Sequence, residues 1–193
     1  MLRHDQGFLI LASASPRRQE LLREAGIPIE IHPAHILEEQ REGEGPLDYA
    51  LRLAREKAEA VAGKFPHRFV LGADTIVAVG GEVLGKPRDH EDAARMLRLL
   101  SGREHSVTTA VSLISASGQK ATRSSTTEVF FRELAEEEIQ QYIATGEPMD
   151  KAGGYAIQGG AGRWAIRMEG EYSNVVGLPL TLVSEMLRAS GFC

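Results

Sequence analysis

Cysteine is almost absent from this 193-residue chain, whose one cysteine is Cys193, the last residue. No intrachain disulfide can form, and a reducing cytoplasm is the expected compartment. Long apolar runs are missing as well; none approaches the ~20 residues needed to span a bilayer. Met1-Leu2-Arg3-His4-Asp5 leads into no extended apolar segment, so neither a secretory signal nor a membrane partner is expected. A surplus of positive charge is lacking too, with 22 Lys and Arg against 27 Asp and Glu and a net charge of −5. That balance argues against a general nucleic-acid binder, which needs clustered basic charge. Basic residues that matter must therefore be few and local. There is no internal repeat, no low-complexity linker, no Walker A loop and no GxGxxG fingerprint.

What is present is ordinary globular material, 42% apolar and 25% charged. The length suits a single domain over residues 1–193 with an ample core. Phe8–Ala12 reads as a buried strand, Ser15-Pro16 as a cap and first helical residue, and Gly26 as the stop of a helix reaching about Ala25. Ile29–Ile31 reads as a short strand. Leu47–Phe65 carries helical periodicity. Arg68–Leu71 is a short apolar strand ending in Gly72-Ala73-Asp74-Thr75, followed by a tight hairpin of Ile76–Val79 and Glu82–Leu84 around Gly80-Gly81. His90–Leu100, Ala135–Ala144 and Pro179–Ala189 read as helices; Val107–Ile114, Ser125–Phe131 and Trp164–Met168 read as strands. Hairpins outnumber crossover units, so the expected class is α/β with a mixed, partly antiparallel sheet and flanking helices.

Several stretches could carry chemistry. In "LASASPRR", a strand passes through Ser13 and Ser15 into a helix whose first turn holds Arg17 and Arg18. Free backbone N–H groups and the helix dipole favour an anion there, and cations oppose the dipole unless an anion shares the place. Taken alone, the stretch also reads as a plain helix cap with solvated arginines. Asp74, at a strand end, could hold a divalent metal or take a proton from water, or simply belong to a turn. Glu38 and Glu39 supply further carboxylates; two acids with phosphate oxygens suit Mg²⁺ or Mn²⁺, although an acidic pair is commonly a solvated loop. Lys57 lies about a quarter turn from the centre of its helix's apolar stripe, on the flank, and Lys86 precedes a proline that keeps it extended. Either could meet phosphate as a point charge.

"GEPMDKAGGYAIQGGAG" holds six glycines around Asp150, Lys151, Tyr155 and Gln158, which points to close backbone approach. The Gln158 amide can accept from one group and donate to another, matching a base edge with N–H beside C=O, as in uracil and thymine. Rotation of the amide would also fit cytosine. His32 and His35 lack further ligands, so zinc is not expected.

The ordered set Ser13–Arg18, Glu39, Arg55–Ala58, Gly72–Thr75, Gly85–Pro87, Ser101–His105, Thr127–Phe131, Gly146–Gly159 and Val175–Pro179 resembles the Maf family of nucleoside triphosphate pyrophosphatases. The resemblance runs from Phe8 to the final helix. It implies an elongated, two-lobed α/β fold with a central cleft, of the Maf and inosine-triphosphatase kind. It also implies a cytoplasmic homodimer and a divalent cation, Mg²⁺ or Mn²⁺. By the family pattern Asp74 is the general base and, with Glu39, a metal ligand. Ser13, Arg18, Lys57 and Lys86 match phosphate-facing positions. Arg17, Thr75 and Gln158 match positions that select the base and carry the residue types of the dTTP/UTP branch; the 7-methyl-GTP branch would have Trp, Gln and Glu there. The implied reaction splits a triphosphate into monophosphate and pyrophosphate. Modified pyrimidine nucleotides are alternative substrates, and a non-catalytic nucleotide sensor is the rival from another class.

Overall fold

The computed structural model describes residues 7–192. Cys193 and the opening Met1–Asp5, on which compartment and signal were argued, lie outside the described residues. Among those residues, seven strands form one sheet in the order β2-β1-β3-β5-β6-β7, with β4 paired to β3. The strands are β1 (Leu9–Leu11), β2 (Ile29–Ile31), β3 (Val70–Val79), β4 (Glu82–Leu84), β5 (Glu104–Ile114), β6 (Lys120–Phe131) and β7 (Ala165–Glu169). The helices are α1 (Pro16–Glu24), α2 (Pro46–Ala62), α3 (His90–Leu100), α4 (Glu136–Ala144), α5 (Tyr172–Val176) and α6 (Leu180–Ala189). Strand β1 pairs parallel with β2 and β3, whereas β3–β4 and β6–β7 are antiparallel. The sheet is thus mixed, as the sequence pattern predicts.

The chain divides into two compact units. One comprises the described residues of Met1–Asp74, Thr109–Ser125 and Gly177–Cys193; the other comprises Thr75–Thr108 and Thr126–Val176.

In the first unit, β1 is apolar throughout and buried throughout, the pattern of a central parallel strand covered on both faces. Leu9, Ile10, Leu11, Leu22, Leu53, Leu71, Val183 and Leu187 are among its fully or almost fully buried side chains. The strand expected to end in Gly72-Ala73-Asp74-Thr75 does not end there: β3 runs without a break from Val70 to Val79. Gly72 has another purpose. A Cβ there would lie 2.4 Å from the Ala54 carbonyl oxygen and 2.6 Å from the Ala58 nitrogen, so the glycine lets α2 lie directly on β3.

In the second unit, Gly80 and Gly81 take φ of 57° and 86°, which two-residue hairpin turns of the I′ type require, and they join β3 to β4. Asp89 caps α3, its carboxylate accepting from Asp92 N–H at 2.8 Å. The core here is aromatic: Phe131 and Trp164 are edge-on at 6.0 Å, and Tyr142 packs edge-on against Trp164 at 4.8 Å. The glycine-rich stretch forms three short 3₁₀ turns, Glu147–Asp150, Ala152–Gly154 and Gly160–Trp164. Neither these turns nor α5 is legible in hydrophobic periodicity.

Candidate active site

The opening motif folds as a strand, a serine-rich turn and a capped helix. Ser15 is the N-cap of α1, its hydroxyl accepting from Arg18 N–H at 3.5 Å. Ser13 is buried, and its hydroxyl accepts from Ser15 N–H at 3.2 Å and from Arg18 Nη1 at 3.1 Å. The Arg18 Nε donates to the Gly177 carbonyl at 2.8 Å. Arg18 is therefore a buried cation rather than a solvated one. Desolvation lowers its pKa, while the charge of Asp74 works in the opposite direction. Arg17 stays half-buried, and its charge also presses on Arg18.

Arg18 faces an acidic cluster. Asp74 comes from β3 and Lys57 from α2, and Gly72 lets that helix and strand approach closely. The Lys57 Nζ donates to Asp74 Oδ1 at 2.7 Å and lies 2.9 Å from Glu38 Oε1. Asp74 and Lys57 are both buried, at 6% and 7% exposure. Burial raises the Asp74 pKa above the usual carboxylate range, and the adjacent Lys57 charge restrains that rise. A carboxylate whose pKa burial has raised is a stronger proton acceptor than an exposed one, which general-base work can use.

Glu38, not Glu39, reaches this pair. The Glu39 carboxylate is exposed and makes no ion pair among the described residues. Its carbonyl oxygen instead accepts from Arg52 Nη2 at 2.9 Å, and the Glu38 carbonyl accepts from the Tyr49 hydroxyl at 3.0 Å. Arg52 is buried and grips Glu44 through two bonds of 2.6 and 2.8 Å. The clamp of Arg52, Glu44 and Tyr49 leaves no signal in the local sequence pattern.

The remaining candidates lie in the second unit. Thr75 is half-buried in β3. Lys86 is exposed and follows Gly85, whose carbonyl accepts from Gly153 N–H at 3.0 Å. Gln158 is exposed at a turn closed by Gly159 N–H to the Ala156 carbonyl at 3.1 Å, and its amide makes no hydrogen bond among the described residues. A groove of about 590 Å³ beside Phe65, His67 and Ile114 contains none of the candidate residues.

Residues 8–190 match the model of the family described as "Maf-like protein". The chain belongs to the Maf family. A Maf relative named dTTP/UTP pyrophosphatase, from Koribacter versatilis (strain Ellin345), is 54% identical over 192 residues, covering 99% of each chain. Another of that name, from Anaeromyxobacter dehalogenans (strain 2CP-1 / ATCC BAA-258), is 54% identical over 187 residues, covering 95% of this chain and 94% of its own. A solved structure titled "The structure of the Staphylococcus aureus Ham1 protein" is 14% identical, covers 65% of this chain and 72% of its own, and has a TM-score of 0.45.

The divalent cation implied for Maf proteins fits the donors present. Asp74 and Glu38 both direct hard oxygen atoms at a single positive charge, the Lys57 ammonium, so two carboxylate donors meet at one place. Among the described residues no group of three or more His, Cys, Asp or Glu side chains is placed to hold a metal. Phosphate oxygens and water would complete the coordination sphere. No helix among the described residues is long and apolar enough to cross a membrane.

Proposed function

We propose that this protein hydrolyses dTTP and UTP to the monophosphate and pyrophosphate, as the names of its relatives indicate for them. Modified pyrimidine triphosphates belong to the same chemical class of substrate. The observation that carries the reading is the buried Lys57–Asp74 pair beside buried Arg18, a base and two cations within one desolvated cluster. A nucleotide sensor would need the cations but not the base.

In this reading Asp74 takes the proton from a water molecule as its oxygen attacks the α-phosphorus. The bond from the α-phosphorus to the bridging oxygen breaks, and pyrophosphate leaves with that oxygen. Arg18, Lys57 and Lys86 offset the charge that accumulates on the leaving phosphates. Ser13 holds Arg18 in place and offers its hydroxyl to a phosphate oxygen. Arg17, Thr75 and Gln158 select the base. Mg²⁺ or Mn²⁺, when bound by Asp74 with Glu38 or Glu39, supplies charge neutralisation and a more acidic water. The working state is the cytoplasmic homodimer implied for the family.

The test is pyrophosphate release from dTTP, UTP, CTP, GTP and ATP, with Mg²⁺, Mn²⁺ or EDTA. Metal-dependent release from dTTP and UTP, at rates well above those for purines, is expected. Release of orthophosphate alone, or no release from any triphosphate, overturns the proposal.

A further inference from the structure

Gln158 is exposed, yet the backbone on both sides of it is tied to a single pair of side chains. Tyr142, on α4 and 3% exposed, donates its hydroxyl proton to Glu147 Oε1 at 2.7 Å. The same hydroxyl oxygen accepts from Ala156 N–H at 3.0 Å. Glu147 in turn accepts from Gly160 N–H, at 3.2 Å to one oxygen and 3.4 Å to the other. The chain is thus held two residues before Gln158 and two residues after it.

The surroundings allow this grip and fix its position. A Cβ on Gly159 would lie 2.0 Å from Glu147 Oε1, so only glycine lets the carboxylate come so close. The Tyr142 ring is wedged edge-on against Trp164 at 4.8 Å, so core packing decides where the hydroxyl stands. Next to Ala156, Tyr155 shares a 2.8 Å hydrogen bond with buried His105. Carboxylate acceptors make stronger bonds than neutral ones, which suits Glu147 to holding two donors at once.

We propose that Tyr142 and Glu147 are positioning residues for base recognition. They fix the turn Ala156–Gly160 so that the Gln158 amide meets the C=O and N–H edge of the pyrimidine in one orientation. The inference rests on the reading that Gln158 selects the base. A turn free to shift by ~1 Å would lose the directional bonds on which discrimination depends.

The experiment compares kcat/KM for UTP with that for ribose 5-triphosphate, which has the same sugar and tail but no base. Tyr142→Phe keeps the ring and deletes both hydroxyl bonds; Glu147→Ala deletes the carboxylate; Glu147→Gln keeps an oxygen that can accept from both donors. Tyr142→Phe and Glu147→Ala should lower the UTP to ribose 5-triphosphate ratio about tenfold, the scale of one lost hydrogen bond, chiefly through the KM for UTP. Glu147→Gln should keep most of the ratio. In a Gln158→Ala background neither change should lower it further. Equal losses on both substrates would mean a general structural role and overturn the proposal. If Gln158→Ala lowers the ratio while Tyr142→Phe and Glu147→Ala do not, positioning fails and base reading by Gln158 stands. If Gln158→Ala leaves the ratio intact, the base reading falls and the proposal with it. Should Tyr142→Phe fail to fold, Glu147→Ala, at a half-exposed residue, carries the same test.

Discussion

The ammonium of Lys57 sits 2.7 Å from Asp74 and 2.9 Å from Glu38, so one cation serves two carboxylates that are 36 residues apart in sequence. Deleting Lys57 leaves both carboxylates without the cation between them.

Asp74→Asn removes the proton acceptor but keeps its shape and an oxygen for Lys57. Turnover of UTP should fall roughly 10²–10⁴-fold, the usual contribution of a general base, while a non-hydrolysable UTP analogue still binds. Pyrophosphate release and calorimetric titration check the two halves. Near-normal turnover would remove Asp74 from the chemistry.

Lys57→Met should move the acid limb of the pH–rate profile. Asp74 must be ionised to act, so activity is lost as pH falls through its pKa. Burial raises that pKa and Lys57 lowers it. Without the lysine the carboxyl binds its proton more tightly, and the acid limb should shift to higher pH in addition to a drop in kcat. An unmoved limb would show that another group sets it.

Arg52→Ala should cost stability in a pH-dependent way. Hydrogen bonding to Arg52 pulls the Glu44 carboxyl down to about 2. A carboxyl whose folded pKa is depressed stabilises the protein fully above its unfolded pKa and loses that contribution as pH falls through the folded value. The gap in melting temperature between wild type and Arg52→Ala should therefore be steady above pH ~4.5 and close as pH falls toward about 2. A gap that does not change over that window would mean the clamp acts through packing alone.

Gly72→Ala tests the seat of α2. The added Cβ meets backbone atoms at 2.4 and 2.6 Å, which cannot move without displacing the helix. Destabilisation of ~1–3 kcal/mol is expected from overpacking, together with reduced turnover because Lys57 rides on that helix. Thermal melts and initial rates report each effect.

Gln158→Glu should weaken use of UTP and dTTP more than use of GTP, because a carboxylate accepts but cannot donate to a pyrimidine carbonyl. Competition assays with mixed triphosphates read the ratio directly. Equal losses for every base would show that residue 158 does not face it.

Much of this was written in the linear sequence. The helix over His90–Leu100 and the strand over Ile29–Ile31 follow from local periodicity and their flanking residues, and the structure has both within those limits. Ser15 before Pro16 marks a helix start because a hydroxyl cap and a preset φ act over three residues. The paired glycines at 80 and 81 announce a hairpin because few other residues tolerate their φ. Such signals are short-range, and short-range physics decides them.

Tertiary structure alone decided the rest. Gly72 reads as the end of a strand, yet it lies within a ten-residue strand and is glycine because α2 presses on it. Glu38 and Glu39 are equivalent on paper; the Arg52 and Tyr49 bonds to their carbonyls orient the segment and turn the first toward Lys57. Tyr142 reads as a core residue on a helix until its hydroxyl is seen against Ala156 and Glu147. A side chain's residue type sets which bonds it can make, but which partners stand within 3 Å depends on where distant segments are packed.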